Sequence, residues 1–72
     1  MLIAGFPQFK IEDRGDLYVY HELDHVGTIW IVEERARGVR YKVVINRRIH
    51  ADCSSISGAL QVIENALQSV SH

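Results

Sequence analysis

The sequence predicts an α+β fold of two layers, a four-stranded antiparallel meander with one C-terminal amphipathic helix packed on one face (β-β-β-β-α). Over residues 8–46, short segments rich in β-branched and aromatic residues alternate with turn segments that contain Gly or Asp, which is the pattern of consecutive strands. From residue 56 onward the apolar residues recur every three or four positions, which is the period of a helix. Because the chain has only 72 residues, we expect one small domain over 1–72.

Four strands are predicted, at about 8–12, 17–22, 28–34 and 39–46. The first strand alternates Phe9 and Ile11 with polar residues, and the second has the aromatic and β-branched sequence LYVYH. The segment DRGD (13–16) supplies the Asp and Gly of a tight turn. The segment LDHVG (23–27) predicts a second turn, in which Gly27 can adopt a positive φ. Short connections between consecutive strands favour an antiparallel meander.

The helix is predicted at about 54–70. One of its faces carries the apolar residues Ile56, Leu60, Ile63, Leu67 and Val70. The preceding segment DCSS (52–55) offers several N-caps, because an Asp or Ser oxygen can accept hydrogen bonds from the free amides of a first helical turn. One amphipathic helix must bury its apolar face against another element, so it is expected to cover one face of the sheet.

Alternation along the strands predicts which side chains the helix covers. The inward set is Phe9, Ile11, Leu17, Val19, Ile29, Ile31, Tyr41, Val43 and Ile45. The outward set is Lys10, Glu12, Tyr18, Tyr20, Trp30, Val32, Arg40, Lys42, Val44 and Asn46. This outward set is aromatic, basic and too apolar for a purely solvated surface. We therefore expect a partner protein or a second copy of the chain to cover part of it.

The charges are segregated along the chain although the net charge is only −1. Residues 1–34 carry −5, the stretch RARGVRYKVVINRR (35–48) carries +6, and residues 49–72 carry −2. Segregation of this kind bears on partners and on association rather than on fold. The basic stretch is predicted to be a turn, the fourth strand and the start of the connection to the helix. Its charges are therefore expected to lie at the two ends of the fourth strand and on the outward face of the sheet.

The segment HELDH (21–25) matches the H-E-x-x-H motif of zinc peptidases, in which two histidines one helical turn apart bind the metal. That chemistry needs a helix, whereas LYVY and TIWIV on either side are typical of strands. Asp24 also places a charge where the peptidase helix usually has an uncharged residue, and no third ligand follows. We interpret His21 and His25 as polar residues at a strand end and turn, with a structural metal site as the alternative.

Other short motifs have ordinary structural interpretations. The tripeptide RGD (14–16) is interpreted as turn chemistry. Cys53 stands beside His50 and Asp52 near the predicted helix start, where a thiolate is stabilised, but a catalytic cysteine also needs a base within reach and an oxyanion site. A half-buried cysteine in a cap region is the simpler interpretation. With no glycine-rich phosphate loop and no paired carboxylates, the chain is predicted not to be an enzyme and to need no cofactor.

The favoured hypothesis is a non-enzymatic protein-binding module, because exposed aromatic and arginine side chains are what interface hot spots favour. The predicted contact residues are Tyr18, Tyr20, Trp30, Arg35, Arg37, Arg40, Lys42, Arg47 and Arg48. An acidic N-terminal half and a basic hairpin would suit a homodimer as well as a foreign partner. In size and plan the chain resembles small inhibitors from phage and other mobile elements, including anti-CRISPR proteins, and this resemblance implies function by occlusion of a partner.

The alternative hypothesis is nucleic-acid binding, in which the basic residues contact phosphates and the aromatic residues stack on bases. The order GTIW, RGVRYKV and helix over residues 28–67 is similar to the plan of integrase N-terminal (arm-binding) and AP2-type DNA-binding domains. A third interpretation assigns the charges no partner, because charges beside a hairpin keep an edge strand soluble.

The expected compartment is the cytoplasm. A single cysteine excludes an internal disulfide, which fits a reducing environment. No apolar run approaches the roughly 20 residues that span a bilayer, and the opening residues lack the basic region of a signal peptide. We therefore expect neither a membrane partner nor a small-molecule substrate.

Overall fold

The computed structural model describes residue 3 and residues 5–70, and within this part of the chain it shows five strands and one helix. The elements are β1 (Phe9–Arg14), β2 (Asp16–His21), β3 (Asp24–Glu34), β4 (Gly38–Ile45), β5 (Arg48–Cys53) and α1 (Ile56–Val70). The strands form one antiparallel sheet in the order β1-β2-β3-β4-β5. The predicted α+β class with an antiparallel sheet and a C-terminal helix is confirmed, and the predicted count of four strands is wrong.

The additional strand is β5, which occupies the segment that was predicted to be a crossover and a helix cap. Its turn from β4 consists of Asn46 and Arg47, with φ of 52° and 66°. Positive φ at both loop residues is the geometry of a type I′ hairpin turn, whose strongest sequence signal is Asn-Gly. Because arginine occupies the glycine position here, the hairpin lacks that signal.

The helix starts two residues later than predicted, after Ser55. The Ser55 hydroxyl accepts a 3.1 Å hydrogen bond from the Gly58 amide, and the Ser55 carbonyl accepts one of 3.1 Å from the Ala59 amide. Ser55 is therefore the N-cap among the several candidates in DCSS. Cys53, in contrast, ends β5 and lies outside the helix.

The turn between β2 and β3 is shorter than predicted, and β3 begins at Asp24 instead of residue 28. His21 pairs with Asp24 across the ladder, so Glu22 and Leu23 alone form the loop. Gly27 lies within β3 and has no positive φ. A Cβ at Gly27 would lie 3.2 Å from Ile63 Cδ1, so this glycine allows α1 to pack closely on the sheet. The DRGD turn is formed as predicted, with Gly15 at φ 92°.

The core lies between the sheet and α1. Its buried members are Phe6, Phe9, Ile11, Leu17, Val19, Ile29, Val43, Ala59, Leu60 and Ile63. Each fully buried leucine or isoleucine contributes about 1.5–3 kcal/mol through the hydrophobic effect. Tyr41 and Ile45 pack against this core as partly buried residues. Ile31 differs from the prediction because it is 42% exposed, near the end of β3. The side chain of Val70 lies outside the described part of the structure.

The helix covers only one side of the sheet, where it contacts β3, β4 and β5. The other side, which we call the outer face, has no second layer among the described residues.

α1 is 15 residues long, and no helix in residues 5–70 is long and apolar enough to cross a membrane.

Candidate functional site

The outer face displays a row of large side chains across the middle strands. Antiparallel pairing places Tyr18 opposite Thr28 and Thr28 opposite Val44. In the adjacent row, Trp30 lies opposite Lys42. Trp30 is 42% exposed, which is unusual for the centre of a sheet in a domain with a buried core on the other side. Directly opposite residues share a face, so these aromatic and aliphatic groups form one continuous surface.

An aromatic cluster lies at the β2–β3 side of this face. The His25 ring is centred 5.6 Å from the Tyr18 ring and 5.4 Å from the Tyr20 ring. His25 Nε2 lies 3.0 Å from Thr28 Oγ1. The register shift after Val19 places Tyr20 opposite His25, since a β-bulge changes which side chains face one another. His25 was not predicted as a contact residue, because the bulge leaves no clear signal in the sequence.

Arg14 and Glu12 on β1 extend the cluster. The Arg14 guanidinium lies 5.2 Å from the centre of the Tyr18 ring, within the range of a cation–π contact. Arg14 also donates a 2.9 Å hydrogen bond to Glu12. This bond is the main cause of the lowered pKa of Glu12, and the Tyr20 hydroxyl adds to it. Desolvation and the hydrogen bond to Glu12 raise the pKa of Tyr20.

A pocket of about 460 Å³ opens on the outer face. It is lined by Tyr18, His25, Val26, Gly27, Thr28, Trp30, Val44, Asn46 and Arg47. Its walls combine aromatic and aliphatic side chains with the polar residues His25, Thr28 and Asn46, and Arg47 supplies the one cationic group of its lining. Arg47 forms no ion pair within 4.0 Å among residues 5–70. A positive φ at a non-glycine residue costs about 1–2 kcal/mol, and strained backbone of this kind concentrates at functional sites.

Three of the six cations in the basic stretch pair with Asp52, which was not predicted as part of the site. Lys42 Nζ, Arg40 Nε and Arg37 Nη2 lie 2.6, 2.8 and 3.1 Å from its carboxylate oxygens. Hydrogen bonds from Lys42 and then Arg40 lower the pKa of Asp52 to about 2. Arg37 additionally pairs with Glu34 at 2.6 Å. This group of residues is called the Asp52 cluster below.

The predicted contact residues thus do not form one continuous surface. Tyr18, Tyr20 and Trp30 form the aromatic part of the outer face, and Arg37, Arg40 and Lys42 belong to the Asp52 cluster. Arg35 lies exposed at the β3–β4 turn. Arg47 borders the pocket at the other end of the sheet. Arg48 pairs with Ile45, whose side chain packs against the core, so Arg48 belongs to the helix side of the sheet.

His21 and His25 lie on opposite faces of the sheet. His21 pairs with the buried Phe9, and the two rings meet edge to face at 6.2 Å. His25 pairs with Tyr20 on the outer face. Two ligands on opposite faces cannot bind one ion as the H-E-x-x-H motif requires. Within the described residues there is no group of three or more His, Cys, Asp or Glu side chains that could hold a metal.

Cys53 and its sequence neighbours are also separated by the sheet. Cys53 packs against the core, whereas Asp52 faces the outer side and pairs with Lys42. His50 is exposed on the edge strand β5. The arrangement of thiol, base and oxyanion donors that nucleophilic catalysis needs is not assembled around Cys53.

The fold and the outer face define a class: a small sheet-and-helix domain whose sheet has one covered and one uncovered face. No family model, no curated protein and no solved structure matches the chain.

Proposed function

We propose that the protein is a non-enzymatic binding module that attaches to another protein through the outer face of its sheet. The observation that carries this proposal is the pocket beside the half-exposed Trp30, with Arg47 at its border. Interface hot spots are enriched in tryptophan, tyrosine and arginine that surround a pocket. Here all three residue types line one concave region of an uncovered sheet.

The lining of the pocket favours a partner segment that carries both an apolar and an acidic side chain. Val44 and Trp30 offer apolar contact, while Arg47 offers a charge that no acid in residues 5–70 neutralises within 4.0 Å. The complementary segment carries an apolar side chain that enters the pocket and an acidic side chain that reaches Arg47. Such a contact gains from apolar burial, and its charge pair adds selectivity for acidic segments.

The Asp52 cluster favours a protein over a nucleic acid as the partner. Affinity for nucleic acid depends on cations that neutralise phosphates and release counterions. Arg37, Arg40 and Lys42 already neutralise Asp52, so a phosphate on this part of the face would have to compete with a carboxylate. Of the other cations in the basic stretch, Arg35 and Arg47 lie at opposite ends of β4, and Arg48 lies on the helix side of the sheet, so the three do not form a continuous track.

Occlusion is the mode of action that we infer for this module. A domain that binds through one sheet face can act by covering the functional surface of its partner. The resemblance in size and plan to small inhibitors of phage and other mobile elements, including anti-CRISPR proteins, supports the same inference, as does the expected cytoplasmic location.

Selection from a displayed library of random short peptides tests the class of partner. The immobilised protein is expected to enrich peptides in which an acidic residue neighbours a leucine, isoleucine or phenylalanine. Trp30→Ala and Arg47→Glu, each with an unchanged circular dichroism spectrum, should lose these peptides. Arg35→Glu removes the same charge at the far end of the sheet and should retain them.

Two outcomes would overturn the proposal. One is the enrichment of the same peptides by the Trp30→Ala variant, because binding would then not involve the outer face. The other is tight binding of a single-stranded oligonucleotide that weakens steeply with added salt and is lost in Arg40→Glu. That result would establish the nucleic-acid hypothesis instead.

A further inference from the structure

The turn between β2 and β3 exposes a leucine almost completely. Leu23 is 97% exposed, the highest value of any large apolar side chain described. Glu22 before it has a φ of 58°, at the loop position where a type II′ turn favours glycine. A side chain other than glycine is strained there, so this hairpin holds Leu23 out into solvent at an energetic cost. We call Glu22, Leu23 and Asp24 the tip.

The tip has the chemistry that the pocket favours. Glu22 and Asp24 are exposed, and neither forms an ion pair within 4.0 Å among the described residues. They flank Leu23, so the tip presents one apolar side chain between two carboxylates. It is thus an acidic segment with an apolar anchor, whose charge is complementary to that of Arg47.

The tip cannot reach the pocket of its own chain. Thr28 is opposite Val44 in the β3–β4 ladder. From this pair, β4 continues for one residue before the turn at Asn46, whereas β3 extends four residues in the same direction to Asp24. The end of β3 therefore projects beyond the turn between β4 and β5. At about 3.3 Å per strand residue, the tip lies roughly 10 Å beyond that turn. The exposure of Leu23 shows that nothing in residues 5–70 covers it. A group that covers Leu23 has to belong to another molecule.

We propose that a second copy of this chain docks at the outer face, with Leu23 of each copy in the pocket of the other and the tip carboxylates beside Arg47. The tip and the pocket lie at the same end of the sheet, so one two-fold axis can bring both pairs together, and the interface closes as a dimer. This inference rests on the proposed function, because the second copy occupies the site that a foreign partner would use.

Sedimentation velocity over a range of protein concentrations, combined with charge reversal, tests the dimer. The wild-type chain should sediment as a dimer at high concentration and dissociate on dilution. Leu23→Ser should be a monomer at all concentrations. The double variant Glu22→Lys/Asp24→Lys and the variant Arg47→Glu should each be monomeric, because like charges then face each other. An equimolar mixture of these two should form a heterodimer. In it the basic tip of the first variant meets the introduced glutamate of the second, and the acidic tip of the second meets the retained Arg47 of the first.

Heterodimer formation also shows that both charge variants are folded. Arg35→Glu and Val39→Ser are the matched controls, because they change a cation and an exposed apolar residue (46% exposed) at the other end of the sheet. Both should dimerise as the wild type does. A wild-type chain that stays monomeric, or a dimer that Leu23→Ser leaves intact, overturns the inference. Peptide selection on sparsely immobilised protein would still succeed in that case, so the two proposals fail separately.

Discussion

Asp52 lies directly across the β4–β5 ladder from Lys42 and accepts a 2.6 Å hydrogen bond from its ammonium group. Arg40 donates to the other carboxylate oxygen at 2.8 Å. One acidic side chain on an edge strand thus holds two cations of the neighbouring strand. This arrangement changes the meaning of the basic stretch, because its central charges are satisfied within the fold and only the terminal ones remain available to partners.

The first prediction concerns the stability of the Asp52 cluster as a function of pH. The pKa of Asp52 is about 2 in the fold, below its ordinary value of 3.8. Between these values the unfolded chain binds more protons than the folded one, so acid favours unfolding. The stabilisation is present above pH 3.8 and is lost as the pH falls to about 2. Asp52→Asn should lower the thermal midpoint at neutral pH.

Thermal unfolding followed by circular dichroism checks this prediction. The difference in midpoint between the wild type and Asp52→Asn should shrink as the pH falls through this window. A difference that stays constant down to pH 2 would show that the carboxylate charge does not stabilise the cluster. Asp13→Asn provides a comparison, because Asp13 accepts only from the Gly15 amide, at 3.1 Å.

The same substitution should change the affinity for polyanions. Without the Asp52 carboxylate, Arg40 and Lys42 become available to phosphate or sulfate groups, whereas Arg37 keeps its ion pair with Glu34. Asp52→Asn is therefore expected to elute from a heparin column at higher salt than the wild type. Asp13→Asn adds the same unit of charge elsewhere and should shift elution less. Equal shifts for both variants would mean that only net charge matters and that the cluster does not mask its cations.

Substitution of Arg47 is expected to have opposite effects on the stability of the fold and on peptide binding. Replacing it with glycine removes the strain of a positive φ, so Arg47→Gly should stabilise the fold by about 1 kcal/mol. The same change removes the cation at the pocket and should weaken peptide binding. Denaturant unfolding and binding measured on one preparation check both effects. Asn46→Gly keeps the cation, and its gain in stability should be smaller because asparagine tolerates positive φ. Loss of stability in Arg47→Gly would contradict the strain argument.

Substitution of Gly27 tests how closely α1 packs on the sheet. An alanine there places its Cβ about 3.2 Å from Ile63 Cδ1, and because Ile63 is fully buried, its side chain has to shift within the packed core. Gly27→Ala should therefore destabilise the fold by about 1 kcal/mol. Ile63→Val, which lacks that Cδ1, should relieve the clash, so the double variant should cost less than the sum of the single ones. Additive costs in urea unfolding would contradict this account.

Alternation and helical period were sufficient to predict the class of fold. The two-residue period of β2, β3 and β4 placed Trp30 and Lys42 on the side opposite the buried Ile29 and Val43, and the structure shows the same division. The apolar period of the helix likewise predicted Leu60 as a core residue, and it is fully buried. These patterns depend on local geometry, so the sequence carries them directly.

The missed features depend on backbone conformations that local sequence does not favour. Asn46 and Arg47 form a type I′ turn without glycine, so the hairpin to β5 was not predicted. Without β5 on the sheet, Asp52 could not be placed opposite Lys42. The convergence of cations on that carboxylate, and the split of the basic stretch that follows from it, therefore became visible only in the structure.

Fluorescence of Trp30 reports on binding at the outer face, because Trp30 is the single tryptophan of the chain and lies in the proposed interface. Its emission should shift to shorter wavelength and saturate as a selected acidic–apolar peptide is added to the wild-type protein. The same titration of Arg47→Glu should produce little change. If a peptide binds by an independent measurement while the Trp30 emission stays constant, the partner lies elsewhere on the molecule, and binding through the outer face is contradicted.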